Sequence, residues 1–110
     1  QGITDVVRGA DLLRETSPQI HLQGLLDLPT PAYAHLPVAL DAAGLKLSKQ
    51  NHAAPIALRS APRVLVAALR FLEQAPPAGL EHATPEAILA WAVPRWQPDR
   101  LRGMHARPAP

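Results

Sequence analysis

The chain has 110 residues, enough for one small domain with one compact core. It has no cysteine, which excludes a disulfide framework and any thiolate metal site within it. The net charge of +2 is too weak to identify a nucleic-acid-binding protein, although the basic residues concentrate after residue 45. No apolar run approaches the roughly 20 residues that span a bilayer, so we expect no membrane association.

The first half of the chain predicts two strands around a helix. Residues 3–8 are rich in β-branched side chains and predict a strand that ends in a tight glycine turn. A Ser-Pro pair at residues 17–18 predicts a helix start. The apolar face of this helix follows a roughly helical spacing, with Ile20, Leu22, Leu25, Leu26 and Leu28. Residues 35–40 predict a buried strand, which a turn at residues 41–44 follows.

The second half predicts two helices. One begins at residues 60–62 and carries Val64, Leu65, Ala68, Leu69 and Leu72 on its apolar face. The other begins at Thr84, a capping residue followed by proline and an acid, and carries Ile88, Leu89, Trp91 and Ala92. Residues 95–110 contain little to bury and predict a poorly folding tail. Because two strands do not make a stable sheet, we expect a further segment to complete it, and a chain that begins at Gln1 is expected to be part of a longer protein.

A lysine-rich loop is the first candidate for chemistry. Lys46, Ser48 and Lys49 follow a glycine turn at the end of a predicted strand. Such a loop can bring two ammonium groups and a hydroxyl onto a triphosphate, where they neutralise charge that develops during phosphate chemistry. The alternative is a solvated surface turn.

Arg8 is the second candidate. It stands at the end of a predicted strand beside a glycine turn, where open α/β sheets bind ligands. Its planar guanidinium can hold a carboxylate through two parallel hydrogen bonds. The alternative is a surface arginine paired with Asp11 or Asp5.

The histidines and tryptophans predict no further site. The five histidines are scattered without the spacing of a metal site, so we predict no metal ligands in this chain. Trp91 and Trp96 are expected to pack in the helical part.

Several segments together resemble the glutamyl-tRNA synthetase family of class I aminoacyl-tRNA synthetases. VVRGADLL at residues 6–13, followed by TSPQI at 16–20, resembles the family stretch V-[IV]-R-G-x-D…T-P-x-Q. YAHLP at residues 33–37 resembles its [FY]-x-H-L-P strand, and KLSK at residues 46–49 stands where the class signature KMSKS belongs. The continuation QNHA is similar to that of the truncated paralogues, the glutamyl-Q tRNA(Asp) synthetases. The match covers nearly the whole chain and is weakest after residue 95.

The resemblance implies an α/β fold with two parts. Residues 1–55 would be the C-terminal part of a class I Rossmann-like catalytic domain, including the KMSKS-type loop. Residues 56–110 would form a small α-helical region with a Pro/Arg-rich tail. The family's HIGH-type motif, its amino-group-binding acid and its zinc-binding cysteines do not occur in these 110 residues. We therefore expect zinc only in an upstream segment, and we expect these residues alone to be inactive.

The resemblance also implies an activity and the residues that carry it. The enzyme would activate glutamate with ATP and Mg to glutamyl-adenylate, then transfer the glutamyl group to the queuosine base in the anticodon arm of tRNA(Asp). Arg8 would contact a glutamate carboxylate. Lys49 would neutralise ATP phosphates with help from Lys46 and Ser48, and the backbone at His35 and Leu36 would lie against the adenine. A cytoplasmic monomer is expected.

Three other interpretations stay open. The nearest alternative is that the chain is part of a glutamyl-tRNA synthetase. A non-enzymatic helical RNA-binding module would bind RNA tightly, with an affinity that falls steeply with salt. A purely structural helical segment would bind neither RNA nor ATP.

Overall fold

The computed structural model describes residues 1–48 and 60–110 and has a mixed helix and strand fold. Its elements in chain order are β1 (Asp5–Gly9), α1 (Leu13–Leu25), β2 (Ala32–Leu36), β3 (Val38–Leu40), α2 (Ala61–Phe71), α3 (Pro85–Ala92) and β4 (Ala106–Pro108). Short 3-10 turns lie at Ala10–Leu12, Leu80–His82, Val93–Arg95 and Pro98–Leu101. Within these residues no helix has the length and apolar character needed to cross a membrane.

The first three elements form one parallel β-α-β unit. Strands β1 and β2 pair in parallel, with Asp5 opposite Ala32 at one end and Gly9 opposite Leu36 at the other. Parallel strands cannot be joined by a tight turn, and α1 provides the crossover between them. The strand predicted at residues 3–8 is confirmed as β1, although it lies slightly later in the chain.

Helix α1 begins earlier than the sequence predicted. The 3-10 turn Ala10–Leu12 leads directly from β1 into α1 at Leu13, so Pro18 lies inside the helix and does not open it. The predicted start at residues 17–18 is therefore wrong. Proline in a helix interior removes one backbone hydrogen bond, and α1 continues past it as far as Leu25.

The predicted apolar face of α1 points to solvent. The relative exposures of Leu22, Leu25 and Leu26 are 55%, 69% and 59%. The side of α1 that meets the sheet is polar instead: Thr16 is buried there, and the Gln23 amide donates to the Tyr33 hydroxyl at 2.9 Å. Within the described residues the helix therefore meets the sheet through Thr16 and Gln23, and not through the leucines that its hydrophobic spacing indicated.

The second predicted strand is divided in two at Pro37. Strand β2 ends at Leu36, and β3 pairs in parallel with the C-terminal strand β4, from Val38 opposite Ala106 to Leu40 opposite Pro108. The tail that looked unable to fold therefore forms a strand beside β3. Arg107 holds it, since its guanidinium donates to the Phe71 carbonyl at 2.7 Å and pairs with Glu73.

The hydrophobic core of the helical part lies between α2 and α3. Val66, Leu69, Ile88 and Ala92 form one buried cluster, against which Trp91 also packs. The predicted cap of α3 is confirmed, because the Thr84 hydroxyl accepts a hydrogen bond from the Ala87 backbone amide. The two predicted helices are thus confirmed, although Val66 was not among the predicted apolar residues of α2 and the predicted Ala68 is exposed.

Candidate active site

Arg8 lies near the carboxyl end of β1, on the side of the sheet that faces α1. In the parallel register Arg8 stands opposite His35 of β2, and Val6 stands opposite Tyr33. Side chains two residues apart on a strand share a face, so Arg8, Tyr33 and His35 project toward the same side. The sequence prediction placed Arg8 at a strand end, and the structure confirms that position.

Four hydrogen bonds hold the Arg8 guanidinium. Its Nε donates to His35 Nε2 at 3.3 Å, and its Nη1 donates to Gln19 Oε1 at 2.8 Å. Its Nη2 donates to Thr16 Oγ1 at 2.9 Å and, at 3.4 Å, to the Leu12 carbonyl oxygen. The guanidinium is therefore fixed from β2 on one side and from α1 on the other.

The aromatic rings of Tyr33 and His35 also contact the Arg8 guanidinium. The Arg8 guanidinium carbon lies 5.2 Å from the centre of the Tyr33 ring, within the range of a cation–π contact. The Tyr33 and His35 rings are nearly parallel, with centres 6.3 Å apart. Gln23 fixes the Tyr33 hydroxyl from α1, so the ring under Arg8 is itself oriented by the helix.

The lysine loop begins at a tight turn after β3. The Asp41 carboxylate accepts hydrogen bonds from the amides of Ala43 and Leu45, both at 2.9 Å, and Gly44 adopts a positive φ of 77°. This left-handed conformation favours glycine. The turn returns the chain alongside β3, where Lys46 bridges antiparallel to Leu40.

Lys46 forms an ion pair with Asp11. The Lys46 ammonium contacts the Asp11 carboxylate, which lies on the 3-10 turn after Arg8. The hydrogen bond from Lys46 is the main cause that lowers the pKa of Asp11 below its usual value. Burial opposes it in part, and the lysine charge adds a smaller lowering effect. This contact joins the start of the lysine loop to the turn that follows Arg8.

Gly9 makes the approach of Asp11 possible. A Cβ atom at this position would overlap the Asp11 carboxylate oxygen and lie only 3.1 Å from Val38 Cγ1. Any larger residue would therefore push Asp11 or β3 away. The glycine in the sequence motif is thus explained by close packing, with the backbone at Gly9 in an ordinary extended conformation.

The sequence-predicted site residues fall into three groups. The structure brings Arg8, His35 and Leu36 to the same end of β1 and β2, and Lys46 is linked to them through Asp11. Ser48 is half-buried after the bridge at Lys46. Lys49, to which the central phosphate role was assigned, lies outside the described residues.

Sequence reasoning missed several residues of this site. It did not predict that Thr16 and Gln19 bind Arg8, nor that the His35 side chain contacts it. The signal that could have found them is the motif itself, because Thr16 and Gln19 are polar positions of it and residues three apart share one face of a helix.

A cavity lies between the sheet and the 3-10 turn Pro98–Leu101. It has a volume of about 560 Å³ and mostly apolar walls, contributed by Val7, Ala34, Leu36, Trp96, Leu101 and Met104 among others. A charged amino acid or a triphosphate is matched poorly by such walls. The corner that contains Arg8 and Lys46 is therefore the better candidate for a charged substrate. Across the described part of the chain, no three histidine, aspartate or glutamate side chains cluster to hold a metal ion.

Comparison with known proteins finds similar proteins that cover most of the chain. No protein-family model matches the chain. It is 58% identical over 95 residues to a glutamyl-Q tRNA(Asp) synthetase of Aromatoleum aromaticum, an alignment that covers 86% of this chain and 30% of the relative. The glutamyl-Q tRNA(Asp) synthetase of Thiobacillus denitrificans is 47% identical over 112 aligned residues, covering all of this chain and 37% of the relative. That of Pectobacterium atrosepticum is 53% identical over 97 residues, with 87% and 30% covered.

The chain spans about a third of the length of these curated relatives. Identities of this size over most of the chain, with the same name recurring, agree with the resemblance carried by the Arg8 and Lys46 motifs. These residues match the C-terminal part of glutamyl-Q tRNA(Asp) synthetases at 47–58% identity over 86% or more of the chain.

Proposed function

We propose that the chain is part of a ligase-type enzyme that activates glutamate with ATP and transfers it to the queuosine base of tRNA(Asp). The observation that carries this proposal is the joining of two charged motifs in one corner. Arg8 is suited to a carboxylate, and Lys46 begins a loop suited to phosphates. Asp11 lies on the turn that follows Arg8 and forms an ion pair with Lys46. Formation of an adenylate requires a carboxylate and a triphosphate to meet at one such place.

We propose that the fold is the C-terminal part of a Rossmann-like class I catalytic domain, followed by a small helical region. The parallel β1-α1-β2 unit supports the first part. The separate core between α2 and α3 supports the second. Strand β4 departs from a simple division at residues 55 and 56, because the end of the chain pairs with β3 of the first part.

Arg8 would bind one carboxylate of glutamate. A guanidinium has five N–H donors, and the four hydrogen bonds described leave one hydrogen on Nη1. One bond to a carboxylate oxygen is therefore possible without losing any present partner. A second would come from releasing Gln19, whose contact with Arg8 is exposed to solvent.

Lys49 would neutralise the ATP phosphates, with Lys46 and Ser48 assisting and Mg accompanying the nucleotide. The backbone at His35 and Leu36 would lie against the adenine. In the structure Lys46 is held by Asp11, and a carboxylate beside a triphosphate is repelled by it. Lys46 would therefore leave Asp11 when it engages phosphate.

The alternatives have weaker support. The relatives are named for glutamyl-Q tRNA(Asp), which favours that acceptor over the one implied by a glutamyl-tRNA synthetase. A basic RNA-binding face is less favoured, because three arginines of the second half already face acids: Arg70 with Glu81, Arg102 with Asp99 and Arg107 with Glu73. Zinc in an upstream segment, a monomeric state and a cytoplasmic location stay predictions.

The proposal is tested by pyrophosphate-exchange kinetics in the full-length protein. Lys49→Ala should raise the barrier to adenylate formation by roughly 2–4 kcal/mol, the usual loss for one charge-stabilising donor, and should change glutamate binding little. Arg8→Ala should weaken glutamate binding by about 2–5 kcal/mol and leave ATP binding intact. Arg8→Lys should recover little, since an ammonium lacks the planar fork.

Arg14→Ala is the matched control, because Arg14 is an exposed arginine on α1 outside the site. An Arg8 variant with normal glutamate affinity would remove the carboxylate role. A Lys49 variant with normal turnover and a raised glutamate KM would remove the phosphate role.

The same assay applied to residues 1–110 should detect no glutamate-dependent exchange. Orienting two substrates together contributes on the order of 7–11 kcal/mol in well-aligned systems, and these residues would supply one side of the site. Exchange by these residues alone would mean that they hold a more complete site than proposed.

A further inference from the structure

The His35 side chain faces Arg8, which is a different role from the backbone contact expected of it. Its Nε2 lies 3.3 Å from Arg8 Nε and 3.0 Å from Thr16 Oγ1. Both neighbours meet the same nitrogen, so the chemistry of the ring is constrained by what each neighbour can donate or accept.

Arg8 can only donate, because a guanidinium has no acceptor atom. Its Nε–H therefore requires a lone pair on His35 Nε2. The Thr16 hydroxyl oxygen accepts from Arg8 Nη2 at 2.9 Å, which leaves its own hydrogen to donate to His35 Nε2 or, at 3.4 Å, to the Leu12 carbonyl. The geometry fits a neutral imidazole with its hydrogen on Nδ1.

We propose that His35 is a positioning residue for Arg8, acting through the lone pair on Nε2. The inference rests on the proposed function, in which Arg8 binds a glutamate carboxylate. Arg8 extends from a strand and has four rotatable side-chain bonds, so its aim depends on neighbours. His35 fixes the Nε edge from β2, while Thr16 and Gln19 fix the two Nη nitrogens from α1.

The stacked Tyr33 ring makes this role more specific. It lies parallel to the imidazole on the same strand and beneath the Arg8 guanidinium. The histidine ring therefore cannot turn freely without losing both the stack and its bond to Arg8. A side chain without an acceptor at this position would leave the Nε–H of a charged group unpaired, which is costly in a partly buried site.

Kinetics of the full-length protein test the proposal with three variants. His35→Phe keeps a planar ring and removes the acceptor, and should raise the glutamate KM by about tenfold to a hundredfold, the scale for a hydrogen bond to a charged group. The ATP KM should not change, since the backbone is kept. His35→Gln can present an amide oxygen near the position of Nε2 and should recover most of the loss. His21→Phe, at an exposed histidine of α1, is the matched control.

The double variant Arg8→Ala/His35→Phe separates the inference from the function on which it rests. If His35 acts through Arg8, the double variant should bind glutamate no worse than Arg8→Ala alone. A raised KM in Arg8→Ala with a normal KM in His35→Phe would overturn the positioning role and leave the proposed function standing. A normal KM in Arg8→Ala would instead overturn the carboxylate role of Arg8.

Nitrogen NMR of the histidine-labelled wild-type protein also tests the proposal. It does not depend on whether a variant folds. The neutral Nδ1–H form gives Nε2 the chemical shift of an unprotonated ring nitrogen, and the other tautomer reverses the assignment. We expect the His35 signal to show an unprotonated Nε2 at neutral pH. A proton on Nε2 would contradict the proposal directly, because Arg8 could not then donate to it.

Discussion

Replacing Ile88 by alanine should destabilise the helical part strongly. Ile88 has no exposed surface and lies in the cluster with Val66, Leu69 and Ala92. The change removes about three methylene equivalents, worth roughly 2.4 kcal/mol at about 0.8 kcal/mol each. The cavity left between α2 and α3 adds to this transfer cost, so the expected loss in the free energy of unfolding is about 2–5 kcal/mol.

Denaturant unfolding followed by tryptophan fluorescence measures this loss, because Trp91 packs against the same cluster. A loss of about 2 kcal/mol should also lower Tm by roughly 8–16 °C in a domain of this size. Leu89→Ala is the matched control: it removes as many carbons from the next residue of α3, whose side chain is 50% exposed. Its cost should stay below about 1 kcal/mol. Equal losses in the two variants would refute the assignment of Ile88 to the core.

Asp11→Asn should cost less than about 1 kcal/mol, because its pair with Lys46 is partly exposed and screened. The pKa of Asp11 is lowered in the folded state, so the stability that the ion pair contributes is fully present above the ordinary pKa near 4. It disappears as the pH falls through the lowered pKa. A stability difference between wild type and Asp11→Asn that persisted in acid would contradict the pairing. Arg107→Ala should free β4 and speed amide exchange in β3, while an unchanged exchange rate would mean that Glu73 and Phe71 do not hold the tail through Arg107. Amides of α2 should exchange more slowly than those of β1, and the reverse order would contradict the helical part as the most stable region.

The helical part of the fold was largely predictable because its local signals agree. A proline near the start of α2 and the Thr84 cap of α3 both match the observed helices. Leu69 and Ile88 of the predicted apolar faces lie in the core cluster, whereas Val66, the most buried residue of α2, was not on the predicted face and Ala68, which was, is exposed. Local preference and packing lead to the same structure here, which makes such a segment readable from one sequence.

Strand β4 was not predictable from local sequence. Its three residues include a proline, and the surrounding tail has little to bury. The strand exists because β3 offers an edge and because Arg107 binds the end of α2. These partners lie far away in the chain, so no window around residues 106–108 contains the information.

The sequence singled out two charged residues of the candidate site but not the contacts that they make. The sequence identified Arg8 and Lys46, and it left open an ion pair between Arg8 and Asp11. The structure pairs Asp11 with Lys46 instead, across 35 positions of the chain, while Arg8 donates to His35 and Gln19. Which cation meets a given carboxylate depends on how the turn after β1 meets the turn after β3, and spacing along the chain does not determine that.

The orientation of α1 explains why the hydrophobic pattern failed where the site was found. A helix normally buries its apolar face, yet Leu22 and Leu25 are exposed while Thr16 faces the sheet. The sheet opposite α1 carries Arg8, a charged side chain that needs hydrogen-bond acceptors, and a leucine there would leave its donors unpaired. The polar face of α1 is therefore the one that matches this sheet. The polar side chains of α1 therefore complete the surroundings of Arg8, which the hydrophobic spacing of the helix could not indicate.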